Sequence, residues 1–119
     1  MRTATTVTQM LLRLCFLALL VLGVLFWTGH AIGLEPLHMA IGGVFVLGLW
    51  AMAILGFASK AGADLVVMAL IGGVIVLALG MTQKALMIGD LHWIVRVVHL
   101  LVGLAAMGLA EQIARRVKA

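Results

Sequence analysis

Residues 91–110 read LHWIVRVVHLLVGLAAMGLA. A helix needs about 20 predominantly apolar residues to cross the hydrocarbon core of a bilayer, and this stretch has that length. Only His92, Arg96 and His99 interrupt it with ionisable groups. They are spaced i, i+4 and i+7, which puts them on one face of a helix. An ionisable residue at bilayer depth is costly and usually turns toward a bundle interior, where it finds a partner. The stretch therefore predicts a membrane span and marks the face that carries chemistry.

The rest of the chain agrees. Of its 119 residues 66% are hydrophobic and 10% charged, and mean hydropathy is +1.31. A soluble domain is nearer half apolar, with about a quarter of its residues charged. Three further apolar stretches lie at about 10–27, 37–57 and 65–81. The connections Thr28–Pro36, Ala58–Asp64 and Thr82–Asp90 are short, and short connections make successive helices antiparallel neighbours. The expected fold is all-α: one transmembrane domain over 1–119, an up-down-up-down four-helix bundle in the lipid bilayer. Glu35 before Pro36 reads as an N-cap with proline at the first helical position, and Asp64 and Asp90 read as N-caps of the third and fourth spans.

Charge sets the expected orientation. Arg2, Arg13, Lys60, Arg115, Arg116 and Lys118 fall on one side, and Lys84 on the other, with Arg96 inside the fourth span. Positively charged loops stay inside, so both termini are expected in the cytoplasm, with the chain a multi-pass protein of the inner (plasma) membrane. Arg2 and Arg13 ahead of an apolar run resemble a signal peptide, but the run is long and no A-x-A-like site follows, so a retained helix is expected. The net charge of +4 comes from helix ends, not from an aromatic-interleaved basic patch, which argues against nucleic acid as a partner. Cys15 has no second cysteine to pair with and reads as a small core hydrophobe. A partial echo relates Ile41–Leu47 to Ile71–Leu77, and another relates Glu35–His38 to Gly89–His92. Their offsets differ, so they do not report one duplication.

His30, His38 and His92 then lie at the outer interface, and His99 roughly 10 Å deeper at 1.5 Å per residue. Imidazole is the commonest metal ligand and also ligates haem iron. Gly42 follows His38 by four residues and Gly103 follows His99 by four. Each puts a small residue one turn deeper on its histidine's face, as a planar cofactor ligated from two helices requires. Arg96 has two readings: snorkelling to the headgroups, or a counter-charge for haem propionates. It would repel a bare divalent cation and so tilts the choice from zinc or copper toward haem. Several pairings are open: His38 with His92 at equal depth; His99 with His38, with His30 or with its own copy across a homodimer; or a methionine as axial ligand. The expected pair is His38 with His99, holding iron of haem b, with His92, His30 and Arg96 alongside.

With His38 and His99 on separate spans and Gly42 and Gly103 one turn on, the chain resembles the bis-histidine membrane b-type cytochromes, the cytochrome b561-like proteins in the broad sense. The resemblance covers the architecture of most of the chain and no long motif. Two-haem members carry ligands near both faces, whereas the histidines here lie on one side. The resemblance thus implies one haem near the outer face, exchanging electrons with a quinol or an external donor. Three alternatives stand beside it. One is a structural or assembly subunit of a larger membrane complex. Another is metal-ion handling by His30, His38 and His92. The last is a small multidrug transporter, which would need an acidic residue that span one lacks. No Ser/His/Asp set, phosphate loop or paired carboxylates point to other enzyme chemistry.

Overall fold

The computed structural model describes residues 1–82 and 92–119. The helices are α1 (Arg2–Trp27), α2 (Glu35–Ala58), α3 (Ala63–Thr82) and α4 (His92–Lys118). All four helices of the described residues are long and apolar enough to cross a membrane, and the protein is a multi-pass membrane protein. Its long axis of 45 Å matches a bilayer with its headgroups, about 40–45 Å. Sequential helices pack side by side, α4 closes back on α1, and α2 also touches α4 across the diagonal. Leu17, Leu47, Ile54 and Val74 are among many large apolar side chains left exposed. They face outward, as lipid contact requires.

The helices run past the spans read from hydropathy. α1 begins eight residues before Met10, where Thr5 and Thr8 hydroxyls donate to the carbonyls of Met1 and Ala4. α4 continues to Lys118. Two expected caps are corrected. Glu35 is the first residue of α2, not its N-cap, because a 3-10 turn at Ile32–Leu34 runs directly into the helix. Asp64 lies inside the first turn of α3, where its carboxylate suits the positive helix end. The Asp90 cap, Lys84 and most of the third connection lie outside the described residues.

Two helix ends close in the same way. After α1, the His30 N–H donates to the Leu25 carbonyl and the Gly29 N–H to that of Phe26, with Gly29 at φ +83°. After α2, the Ala61 N–H donates to Gly56 and the Lys60 N–H to Phe57, with Lys60 at φ +55°. Both are Schellman closures, which need a left-handed residue past the helix end.

Packing is uneven along the bundle. The core gathers Leu12, Phe45, Leu49, Met52, Ala69, Ala110 and Ile113, mostly in the half nearer the termini, with Phe45 at mid-bundle. Glycines admit the knobs there. Gly48 receives Leu12, and Gly56 receives Ile113. The Trp50 indole lies on Gly73 and donates to the Leu70 carbonyl at 3.3 Å, tying α2 to α3. Beyond mid-bundle, toward the other end, Leu22 and Val95 are the buried hydrophobics among the described residues. The two echoed segments meet different surroundings: Gly43 faces nothing within 4 Å, while its counterpart Gly73 carries Trp50.

Gly73→Val should displace the Trp50 indole and break its bond to Leu70. The expected cost is that of overpacking, about 1–3 kcal/mol. Thermal unfolding in detergent, with Trp50 fluorescence read in a Trp27→Phe, Trp93→Phe background, checks it. An unchanged midpoint and spectrum would contradict the seam.

Candidate functional site

The loosely packed half carries all four histidines. The Schellman turn after α1 sets the position of His30, whose Nδ1 lies 3.0 Å from the Thr28 hydroxyl. His30 is exposed. The 3-10 turn then leads into α2, and His38 falls in that helix's first turn. Two large rings sit at the outer ends of the helices, Trp27 closing α1 and Trp93 opening α4, both exposed. This is where tryptophan marks a membrane interface.

His38 and His99 converge. They stand on α2 and α4, the two helices that touch across the diagonal, and both rings are half-buried. Each ring has a wall from a third or fourth helix. Phe26 of α1 meets His38 edge-on with ring centroids 5.4 Å apart. A Cβ on Gly23 of α1 would lie 3.9 Å from His38 Cε1, and one on Gly80 of α3 would lie 3.6 Å from His99 Cε1. Nδ1 of both rings is buried with no hydrogen-bond partner among the described residues. An unsatisfied buried polar atom costs about 1–3 kcal/mol, and such atoms call for a functional account.

The other expected residues fall elsewhere. His92 opens α4 and is half-buried. Arg96 is exposed. The stripe on α4 is therefore split, because at 100° per residue Arg96 is roughly 60° around the helix from His99. Gly42 faces Leu19 at 3.9 Å, and Gly103 faces nothing within 4 Å. The histidine contacts come instead from Gly23 and Gly80, which sequence reading passed over. Distance from the helix end was the signal available. Gly23 lies four residues before the end of α1 and Gly80 two before the end of α3, level with histidines near the start of the next helices.

Among the described residues no three His, Cys, Asp or Glu side chains cluster as metal ligands. Two imidazoles do not close a zinc site, which takes four ligands. They suit a metal that brings its own equatorial ligands, as haem iron does.

A second polar cluster sits at the opposite end and was also missed. Glu111 accepts from Arg13 Nε at 2.6 Å, from Arg13 Nη2 at 3.0 Å and from Gln9 Nε2 at 2.7 Å. Lys118 Nζ donates to Gln9 Oε1 at 2.6 Å, and Arg2 Nη1 to the Lys118 carbonyl at 2.7 Å. Gln9 is only 6% exposed, yet both ends of its amide are satisfied. The partners are some hundred residues apart, which no local spacing reveals. Arg116 adds a bond to the Ala61 carbonyl at 2.7 Å, holding α4 on the α2–α3 turn. Gly62 there, at φ +122°, leaves room for that guanidinium.

Compared with protein-family models, curated proteins and solved structures, the chain matches none.

Glu111→Ala should destabilise more than Arg13→Ala. The first strands the buried Gln9 amide, at about 1–3 kcal/mol. The second removes a solvent-exposed partner and leaves Gln9 its bond. Detergent unfolding of both variants decides it, and equal losses would mean that Gln9 is not the element that matters.

Proposed function

We propose that this protein is a small membrane b-type haem protein that carries electrons near one face of the bilayer. The observation that carries the reading is the pair His38 and His99. Two half-buried imidazoles stand on helices that touch across the diagonal of an apolar bundle, and neither has a partner for its buried Nδ1 among the described residues. Gly23 and Gly80 present no side chain to either ring, and the two orphaned Nδ1 atoms fit ligands of the group.

His38 and His99 would hold the iron, and haem so held would supply reversible one-electron transfer. With both iron ligands supplied by the protein, such a group would favour electron transfer over oxygen activation. Phe26 covers one side of His38 and keeps water from it. Arg96, exposed one turn nearer the membrane surface than His99, offers a cation to carboxylates reaching the headgroups. Arg2, Arg13, Lys60, Arg115, Arg116 and Lys118 gather at the terminal end. By the positive-inside rule that end is cytoplasmic. The histidine end then faces outward from the inner membrane, and the exchange partner is a quinol in the outer leaflet or an external donor.

A reduced-minus-oxidised spectrum of the detergent-purified protein, with iron analysis on the same sample, tests the reading. A sharp Soret and α-band with near-stoichiometric iron is expected. His38→Ala and His99→Ala should each lose the haem while the helices remain, and His30→Ala should keep it. A colourless, iron-free protein from haem-replete cells would overturn the proposal and leave a structural role in a larger complex.

A further inference from the structure

We infer that Gly23 and Gly80, one on each flanking helix, are the positioning residues that hold open the space at the His38–His99 pair. The inference rests on the haem reading above. It assigns the space-making role to α1 and α3, not to Gly42 and Gly103 on the histidines' own helices.

The glycines of this chain divide by what they face. Gly48, Gly56 and Gly73 meet Leu12, Ile113 and Trp50 so closely that a Cβ would have to push them aside. Those glycines are packing seams, and they lie in the densely packed half. Gly43 and Gly108 face nothing within 4 Å and constrain little. Gly23 and Gly80 form a third group, because the atom each faces is an imidazole carbon. Cε1 lies between the two ring nitrogens, so a side chain placed against it also crowds them, the unpartnered Nδ1 included. The two contacts are matched. Gly23 of α1 backs His38 of α2 at 3.9 Å, and Gly80 of α3 backs His99 of α4 at 3.6 Å. Each histidine is thus backed by its sequential neighbour helix, and all four helices build the site.

The distances also predict a graded response. Both are ordinary van der Waals separations, so one methyl group fits. A branched side chain reaches past Cε1 and displaces the ring or whatever the ring holds. The larger effect of a methyl is expected at Gly80, where the gap is the smaller.

The test uses the full chain made in haem-replete cells. Gly23→Leu, Gly80→Leu, Gly23→Ala and Gly80→Ala are compared with the wild type and with Gly43→Leu and Gly108→Leu. Haem per protein, midpoint potential, helical content by circular dichroism and particle size in detergent are measured for each. The Leu variants at 23 and 80 should lose haem while helicity and size hold. The Ala variants should keep haem with a displaced midpoint, more so at position 80. The variants at 43 and 108 should match the wild type. Leu variants at 23 and 80 loaded like the wild type at the same midpoint would overturn the inference and leave the haem reading intact. So would equal loss at 43 and 108. If the Leu variants do not accumulate, the Ala pair decides, and unshifted midpoints overturn the inference. A colourless wild type overturns the haem reading and this inference with it.

Discussion

A leucine in a bilayer gains little by exchanging a lipid tail for a neighbouring helix. Helices in lipid are therefore held by close approach and by polar contacts, not by the hydrophobic effect. This chain meets that constraint with glycine seams and one polar clamp. Leu12 enters at Gly48, Ile113 enters at Gly56 and the Trp50 indole lies over Gly73. Each seam lets two backbones draw together and adds dispersion contacts that lipid would supply less densely. The Gln9–Glu111–Arg13 cluster then closes the ring of helices from the first to the last. A satisfied polar network is worth more in this setting than at a wet surface, because the alternative partners are fewer.

These devices are concentrated in the half nearer the termini, and that leaves the other half free to do something else. No seam glycine closes around His38 and His99, and few hydrophobics are buried beside them. A bundle stitched at one end tolerates a wider spacing at the other. It needs no dense core there to hold together, since the terminal clamp fixes which helix is next to which. The cost of two unpartnered imidazole nitrogens, about 1–3 kcal/mol each, is carried by that same packed half. Stability and site are thus separated along the membrane normal.

The architecture was legible because hydropathy over a span is a sum. Twenty apolar residues outweigh a histidine or an arginine, so 91–110 reads as a span despite three ionisable groups. Short connections then leave one simple topology. The site was only partly legible. His38 and His99 stand out because charge-capable residues are rare here, but which faces of α2 and α4 meet is a relation between helices. Gly42 and Gly103 were readable because periodicity relates residues within a helix. It is silent about Gly23 and Gly80, which reach the rings from outside. The same blindness hid Glu111, whose partners Gln9 and Arg13 lie about a hundred residues away. Arg96 shows the limit of the helical wheel in the other direction. A spacing of i, i+4 and i+7 groups three residues broadly, yet the 60° between Arg96 and His99 is enough to put one outside and one within.

The connection after α1 decides which histidines can meet. The Schellman closure at Gly29 ends α1 within two residues of Trp27 and turns the chain back at once. It leaves His30 exposed beside Thr28. The 3-10 turn at Ile32–Leu34 winds the chain without a break into α2, and its Ile32 and Leu34 are exposed apolar groups suited to the interface instead of water. His38, at the end of the first turn of α2, is half-buried there. It reaches Phe26 and Gly23. A longer, polar loop would lift α2 toward the surface and leave His38 level with His92. The identity of the pair is therefore set by the backbone of a connection that carries only one of the four histidines, and that one stays outside.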